Sequence, residues 1–230
     1  MVALFVIGTF LLFLIIDFVL HKVKTRQTIT ATPRPAFAEK FLLPRGYFFS
    51  PNHSWVELLP SGNARIGIDD FTQKIIGSID RIHPVLAQTT IKKGEPLLVL
   101  TQGERTLAIA SPLSGKVSSV NETLLESADV VKTSPYQQGW IAAIEPDNLS
   151  TEIKSLSIAE EAVQWLREEV TRFREFITLR TPQFAHGTNG VTMYDGGLPM
   201  KNVLESADEQ TWKLFETDFL LLVHNKETVS

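Results

Sequence analysis

Apolar and polar positions change their rhythm four times along the chain. Val2 to Leu20 is almost continuously apolar, with Asp17 its one charged side chain, and about twenty such residues at 1.5 Å rise cross a bilayer core of roughly 30 Å. A transmembrane helix is therefore predicted over 1–22, followed by a linker over 23–44 in which Thr28, Thr30, Thr32, Pro33, Arg34 and Pro35 favour extended backbone. From Tyr47 to Pro146 the pattern becomes short β-type runs, at 55–59, 64–68, 78–82, 96–100, 106–110, 115–120 and 140–144. Pro60-Ser61-Gly62-Asn63 makes the first two a hairpin, and a short helix over 71–76 is expected to be capped by Asp69 or Asp70 and ended by Gly77. The resulting domain is mainly β and spans 45–148.

Beyond it, Ile153, Leu156, Ala162, Val163, Leu166, Val170, Phe173 and Ile177 recur in steps of three and four, which predicts an amphipathic helix over 149–180, with Glu168 and Arg172 as an i,i+4 pair. Pro182, Gly187, Gly190, Gly196, Gly197 and Pro199 interrupt any helix before a C-terminal extension over 181–230. There Ser206 and Glu209 read as a capping box for a second helix that places Trp212, Phe215, Phe219 and Leu222 on one face. That face is covered either by the chain's own body or by a partner, so Trp212, Phe215 and Phe219 are the candidate partner-facing side chains.

The flanks of the apolar segment orient it. His21, Lys22, Lys24 and Arg26 follow it, whereas a secretory signal peptide carries its basic residues in front. Basic residues stay on the cytoplasmic side, so the expected protein is single-pass, N-terminus outside and main domain cytoplasmic. Asp17 lies near the inner boundary, where it reaches the headgroups, pairs with Lys22, or pairs with a group on another membrane helix.

Composition narrows the chemistry. Of 230 residues, 43% are hydrophobic, enough for a packed core, and a formal charge of -4 gives no electrostatic reason to expect nucleic acid. With no cysteine there is no disulfide, thiolate metal site or cysteine nucleophile. His53 and His83 lack the spacing of a zinc site, and Asp69, Asp70 and Asp80 read as caps and turn residues. Neither a phosphate-binding glycine loop nor a nucleophile motif is present, so the expectation is a protein without catalytic residues, metal, cofactor or small-molecule substrate.

One stretch has a specific look. Gly94-Glu95, the run Pro96 to Leu100, the tip Gln102-Gly103-Glu104-Arg105, the run Thr106 to Ala110 and the close Ser111-Pro112-Leu113-Ser114-Gly115 resemble the lipoyl-bearing hairpin of the glycine cleavage system H proteins. His53-Ser54-Trp55-Val56, Ala64 to Gln73, Val120-Asn121-Glu122 and Ser134 to Ile141 resemble further motifs of that family, in its order, over roughly residues 45–150. The resemblance implies a barrel-sandwich hybrid and a swinging-arm carrier. Counted without gaps, however, the position where the family has its lipoyl lysine is Glu104, and a carboxylate forms no amide with lipoate. Arg105 is no acceptor either, and Lys92, Lys93 and Lys116 stand outside the tip.

The expected role is then a membrane-anchored, non-lipoylated interaction or scaffold subunit of a membrane-associated complex, bound to the membrane and to other protein subunits. Two alternatives stay open: a lipoyl carrier of glycine-cleavage type using another lysine, and a membrane-fusion adaptor of an efflux system, a family that resembles this one in joining an anchor to an unlipoylated lipoyl-like domain.

Overall fold

In the computed structural model the described residues are 41–180 and 201–222. The predicted membrane helix with Asp17, Lys22, Lys24 and Arg26, and the linker as far as Lys40, lie outside them. Among the described residues no helix is long and apolar enough to cross a membrane.

Among the described residues ten strands form two antiparallel sheets. The larger has the order β10-β1-β2-β3-β9-β8-β5, built from β1 (Phe48–Phe49), β2 (Ser54–Leu58), β3 (Ala64–Ile68), β5 (Thr90–Ile91), β8 (Gly115–Val120), β9 (Trp140–Pro146) and β10 (Ser157–Ile158). The smaller has the order β4-β6-β7, from β4 (Arg81–Pro84), β6 (Pro96–Gln102) and β7 (Arg105–Ala110). A two-sheet, mainly β body with C-terminal helices is the H-protein-like architecture expected from the motifs.

On β2 and β3, Trp55, Val56, Ala64, Ile66 and Ile68 are fully buried, Trp55 in a cluster with Phe49, Tyr136 and Ala162, and Leu98, Leu100, Leu107 and Ile109 pair across the smaller sheet on one buried face. Each such aliphatic side chain contributes about 2 kcal/mol by leaving water. Gly67 is fixed by packing: the indole of Trp55 lies over it, and a Cβ there would stand 2.4 Å from Trp55 Cζ2. Helix α1 (Asp70–Ile76) begins as the sequence reading has it, with the Asp69 carboxylate accepting from Thr72 N at 2.8 Å and Gly77 at φ 90 ending it.

Phe41 and Leu42, which composition assigns to the linker, are docked on this body. Phe41 is buried edge-on against Phe71, Leu42 N donates to Asp70 Oδ2 at 2.7 Å, and Tyr136 OH donates to Leu42 O. The ordered domain thus starts before residue 45.

Short helices α2 (Thr123–Glu126), α3 (Val130–Thr133) and α4 (Leu149–Glu152) occupy the connections around β9. The long helix α5 runs over Ala159–Arg180, ten residues later than its periodicity suggests. Ile153 belongs to a 3-10 turn, and Ser157 and Ile158 pair with Phe49 and Phe48 as β10, after which Ala159 at φ 52 turns the chain into the helix. Sheet pairing across more than a hundred residues overrides the helical spacing. Arg172 pairs with Glu169, and Glu168 instead accepts from Gln164 Nε2, so the expected Glu168–Arg172 pair is not made.

In the extension a 3-10 turn (Val203–Ser206) precedes α6 (Glu209–Phe215), which continues as a π turn over Glu216–Leu220. The N-cap is Asp208, accepting from Thr211 N at 2.7 Å; Ser206 lies inside the preceding turn. Asp208 is the residue that stands immediately before the first helical position, where its carboxylate meets the free N–H groups. Phe215 and Phe219 are packed with Phe173 and Phe176 of α5 at ring separations of 5.3–6.4 Å, and Trp212 is buried against the hairpin. The face read as partner-facing is therefore covered in cis.

Candidate functional site

The hairpin β6–β7 turns through two residues, Gly103 and Glu104, between the paired Gln102 and Arg105. Gly103 has φ 59 while Glu104 does not enter the positive region, the pattern of a type II′ turn that places glycine first. Glu104 is exposed at the apex and takes part in no hydrogen bond or ion pair among the described residues.

Its neighbours are all held. Gln102, buried, donates through Nε2 to Ser78 O at 2.6 Å and to Ile76 O at 3.2 Å, at and just past the end of α1. Gly103 N donates to Asp80 Oδ2 at 2.6 Å. The Arg105 guanidinium donates to Ala207 O and Glu205 O at 2.9 Å each and lies 4.6 Å from the ring centre of Trp212. Gln102 and Arg105 are cross-strand partners and so share one face of the sheet, the face on which Ser78 Oγ bonds Glu205 at 2.7 Å. The tip is held to the body through Gln102, Gly103 and Arg105, leaving residue 104 alone unattached among the described residues.

The free edge of β7 is covered by the same segment. Trp212 Nε1 donates to Thr106 O at 3.0 Å, Glu216 accepts from Ala108 N, and Asn52 Nδ2 donates to Ala110 O at 2.6 Å. Outward backbone groups of a strand recur every second residue, about 6.7 Å apart, and residues i and i+4 of a helix are spaced by about 6 Å, so Trp212 and Glu216 match Thr106 and Ala108. An edge that invites a foreign strand is thereby closed.

The lysines near the hairpin in sequence are far from its tip. Lys92 and Lys93 lie in the turn before β6, roughly 30 Å from the apex at strand rise, and Lys93 bonds Ser155 there. Lys116 is on β8 of the other sheet.

A second polar centre escaped sequence reasoning. His53, fully buried and itself at φ 60, holds Nδ1 2.7 Å from Asp69 Oδ2, while its Nε2 is 3.6 Å from Glu169 Oε2, an ion-pair separation too long for a hydrogen bond. The ring stacks on Phe71 at 4.7 Å, with Trp165 at 5.1 Å and Phe219 at 6.2 Å. Burial by itself lowers the imidazole's pKa; the carboxylates of Asp69 and Glu169 outweigh it and hold it up at about 9. Glu169, whose burial works the other way, is kept below the usual carboxylate range by His53 and Arg172. The cation thus ties three parts of the fold: the start of β2, the cap of α1, and α5 with the π turn. Its aromatic walls leave it no reach to solvent, so it acts as a structural joint. No cluster of three or more metal-ligating side chains occurs among the described residues, and Asp69, Asp70 and Asp80 serve a cap, a buried pair with Lys74, and the tip.

Two antiparallel sheets and a tight protruding hairpin, closed by C-terminal helices, define an H-protein-like β-domain. The comparisons agree with the geometry: the family described as glycine cleavage H-protein matches residues 47–169. The probable glycine cleavage system H protein of Pyrococcus abyssi is 32% identical over 128 residues, covering 56% of this chain and 95% of its own length. Its counterpart from Coprothermobacter proteolyticus is 37% identical over 123 residues, 54% of this chain and 96% of the relative. Glycine cleavage system H protein 2 of Aquifex aeolicus is 32% identical over 126 residues, 55% and 78% respectively. The chain belongs to the glycine cleavage H-protein family. The second half of α5 and the segment 201–222 that clamps the hairpin lie beyond the family match.

Proposed function

We propose that this chain is a non-lipoylated member of its family, a membrane-anchored interaction subunit whose work is binding other proteins. The observation that carries the reading is Glu104: it stands exposed at the apex, at the position that the motif spacing assigns to the lipoyl lysine, and its carboxylate has nothing with which to accept an acyl group. The fold does not depend on that side chain, whereas carrier chemistry does. Anchoring rests on the apolar segment 2–20, whose basic flank supports a cytoplasmic domain by the positive-inside tendency. The partners are other subunits of a membrane-associated complex, as H proteins work within a multi-protein system.

Intact-mass analysis of the chain purified from its native membranes tests the reading. The expected mass is that of the unmodified polypeptide; one added lipoyl group overturns it. Alkaline extraction tests the anchor, with the chain expected to stay in the membrane pellet and its release into the supernatant refuting attachment. Family membership favours a second reading, a lipoyl carrier that uses another lysine, and the same mass measurement followed by peptide mapping decides it. An efflux adaptor is disfavoured by the two-residue turn, which leaves no room for the helical insertion such adaptors carry.

A further inference from the structure

The segment that closes the edge of β7 has a consequence for what the hairpin can receive. We infer that Asn202 to Glu216 shuts the hairpin to acyl-attaching enzymes independently of the residue at 104, so that tertiary structure and side chain each bar the carrier role. This deepens the proposed function and rests on it.

Attachment of lipoate needs a lysine amine and an activated carboxyl. Lipoate and ATP give the acyl adenylate and pyrophosphate; the amine attacks the acyl carbon, the C–N amide bond forms as the C–O bond to phosphate breaks, AMP leaves and the amine releases a proton. An enzyme performing this step has to seat the amine against the adenylate, and orienting it requires contact with the residues beside it. In this chain three of the four tip residues are occupied, Arg105 by the segment itself and Gln102 and Gly103 by the end of α1 and the loop after it, to which Glu205 ties the segment. Gln102 is held by the carbonyls of Ile76 and Ser78, Gly103 N by Asp80, and Arg105 by the carbonyls of Glu205 and Ala207 beneath Trp212.

Beside the tip, the outward groups of β7 are taken in sequence by Trp212, Glu216 and Asn52. Glu205, bonded to Ser78 Oγ, joins this segment to the loop under the turn. One face and one edge of the hairpin are therefore filled by the chain itself. A lysine at 104 would be exposed, yet an enzyme could approach it only from the remaining side, without the grip on both strands that positions the amine. Misplacement by about an ångström costs an enzymic reaction on the order of 100-fold.

The test uses the full-length chain with Glu104→Lys, incubated with a lipoate-protein ligase, lipoate and ATP beside an authentic H protein, the lipoylated fraction being followed by intact mass. The same assay is run on Glu104→Lys combined with Trp212→Ala, and on Glu104→Lys combined with Glu216→Ala. Amide exchange over residues 105–110 reports whether the segment has been loosened. The single variant is expected to be modified on the order of 100-fold more slowly than the H protein, and the loosened double variants to recover most of that loss. Labelling of Glu104→Lys at the H protein's rate overturns the inference, and so does a loosened variant labelled no faster than the single one. Should Trp212→Ala fail to fold, Glu216→Ala removes one contact to Ala108 N from a partly exposed position and gives the same reading. Failure of the proposed function itself shows elsewhere, as a lipoyl group on the native chain.

Discussion

Raising the pH should loosen this protein through one buried side chain. His53 is ordinary when unfolded, near pKa 6.5, and is held at about 9 in the fold between Asp69 and Glu169. A group with a raised folded pKa contributes stability that is fully present below the unfolded value and is lost as pH climbs through the folded one, here between about 6.5 and 9. The interval is about 2.5 units, and at about 1.4 kcal/mol per unit the ceiling is roughly 3.5 kcal/mol. For a body of this size that is about 10 °C in melting temperature. The charged groups facing the imidazole are Asp69, Glu169 and, through Glu169, Arg172. Melting followed by circular dichroism at pH 6, 7, 8, 9 and 9.5 on the wild type and on His53→Gln isolates it as a difference. The wild type should lose stability with pH, and the variant should start lower and stay flat by comparison. Equal slopes in the two proteins would refute the assignment of a buried cation at this joint.

Further substitutions probe the packing that presents the hairpin. Gly67→Ala sets a Cβ 2.4 Å from Trp55 Cζ2, and the forced shift of the indole should cost about 3 kcal/mol in urea unfolding. Tyr136→Phe removes the hydroxyl that bonds Leu42 O and leaves Asp70 N unpaired in the interior; a loss of about 2 kcal/mol is expected, together with faster tryptic cleavage at Arg45. Trp212→Phe keeps the ring but loses the indole donor to Thr106 O, which should cost about 1 kcal/mol and appear as faster amide exchange along β7.

Much of the scaffold is legible in local sequence. β3 and β8 fall on the expected residues, and α1 has its Asp69 cap and Gly77 stop, because each is set by side chains within a few positions of one another. Where the reading slips, a distant contact has won. Ser157 and Ile158 fall inside the stretch 149–180 predicted as one helix, yet they pair with β1. Ser78 and Asp80, read as part of a strand over 78–82, are spent on Gln102 and Gly103, and β4 starts only at Arg81. In the extension, apolar spacing identified the inward stripe of Trp212, Phe215 and Phe219 without saying what covers it.

By itself the order of residues determined the H-protein-like strand pattern and put a carboxylate, Glu104, at the apex of the hairpin, since turn chemistry and motif spacing are local properties. Only the folded chain decided that this apex is held in place. The carbonyls that bind Arg105 come from about a hundred residues away, and His53 meets Glu169 across a similar distance. No local pattern encodes such meetings, because they exist only once both sheets and the C-terminal helices have buried their apolar faces against one another.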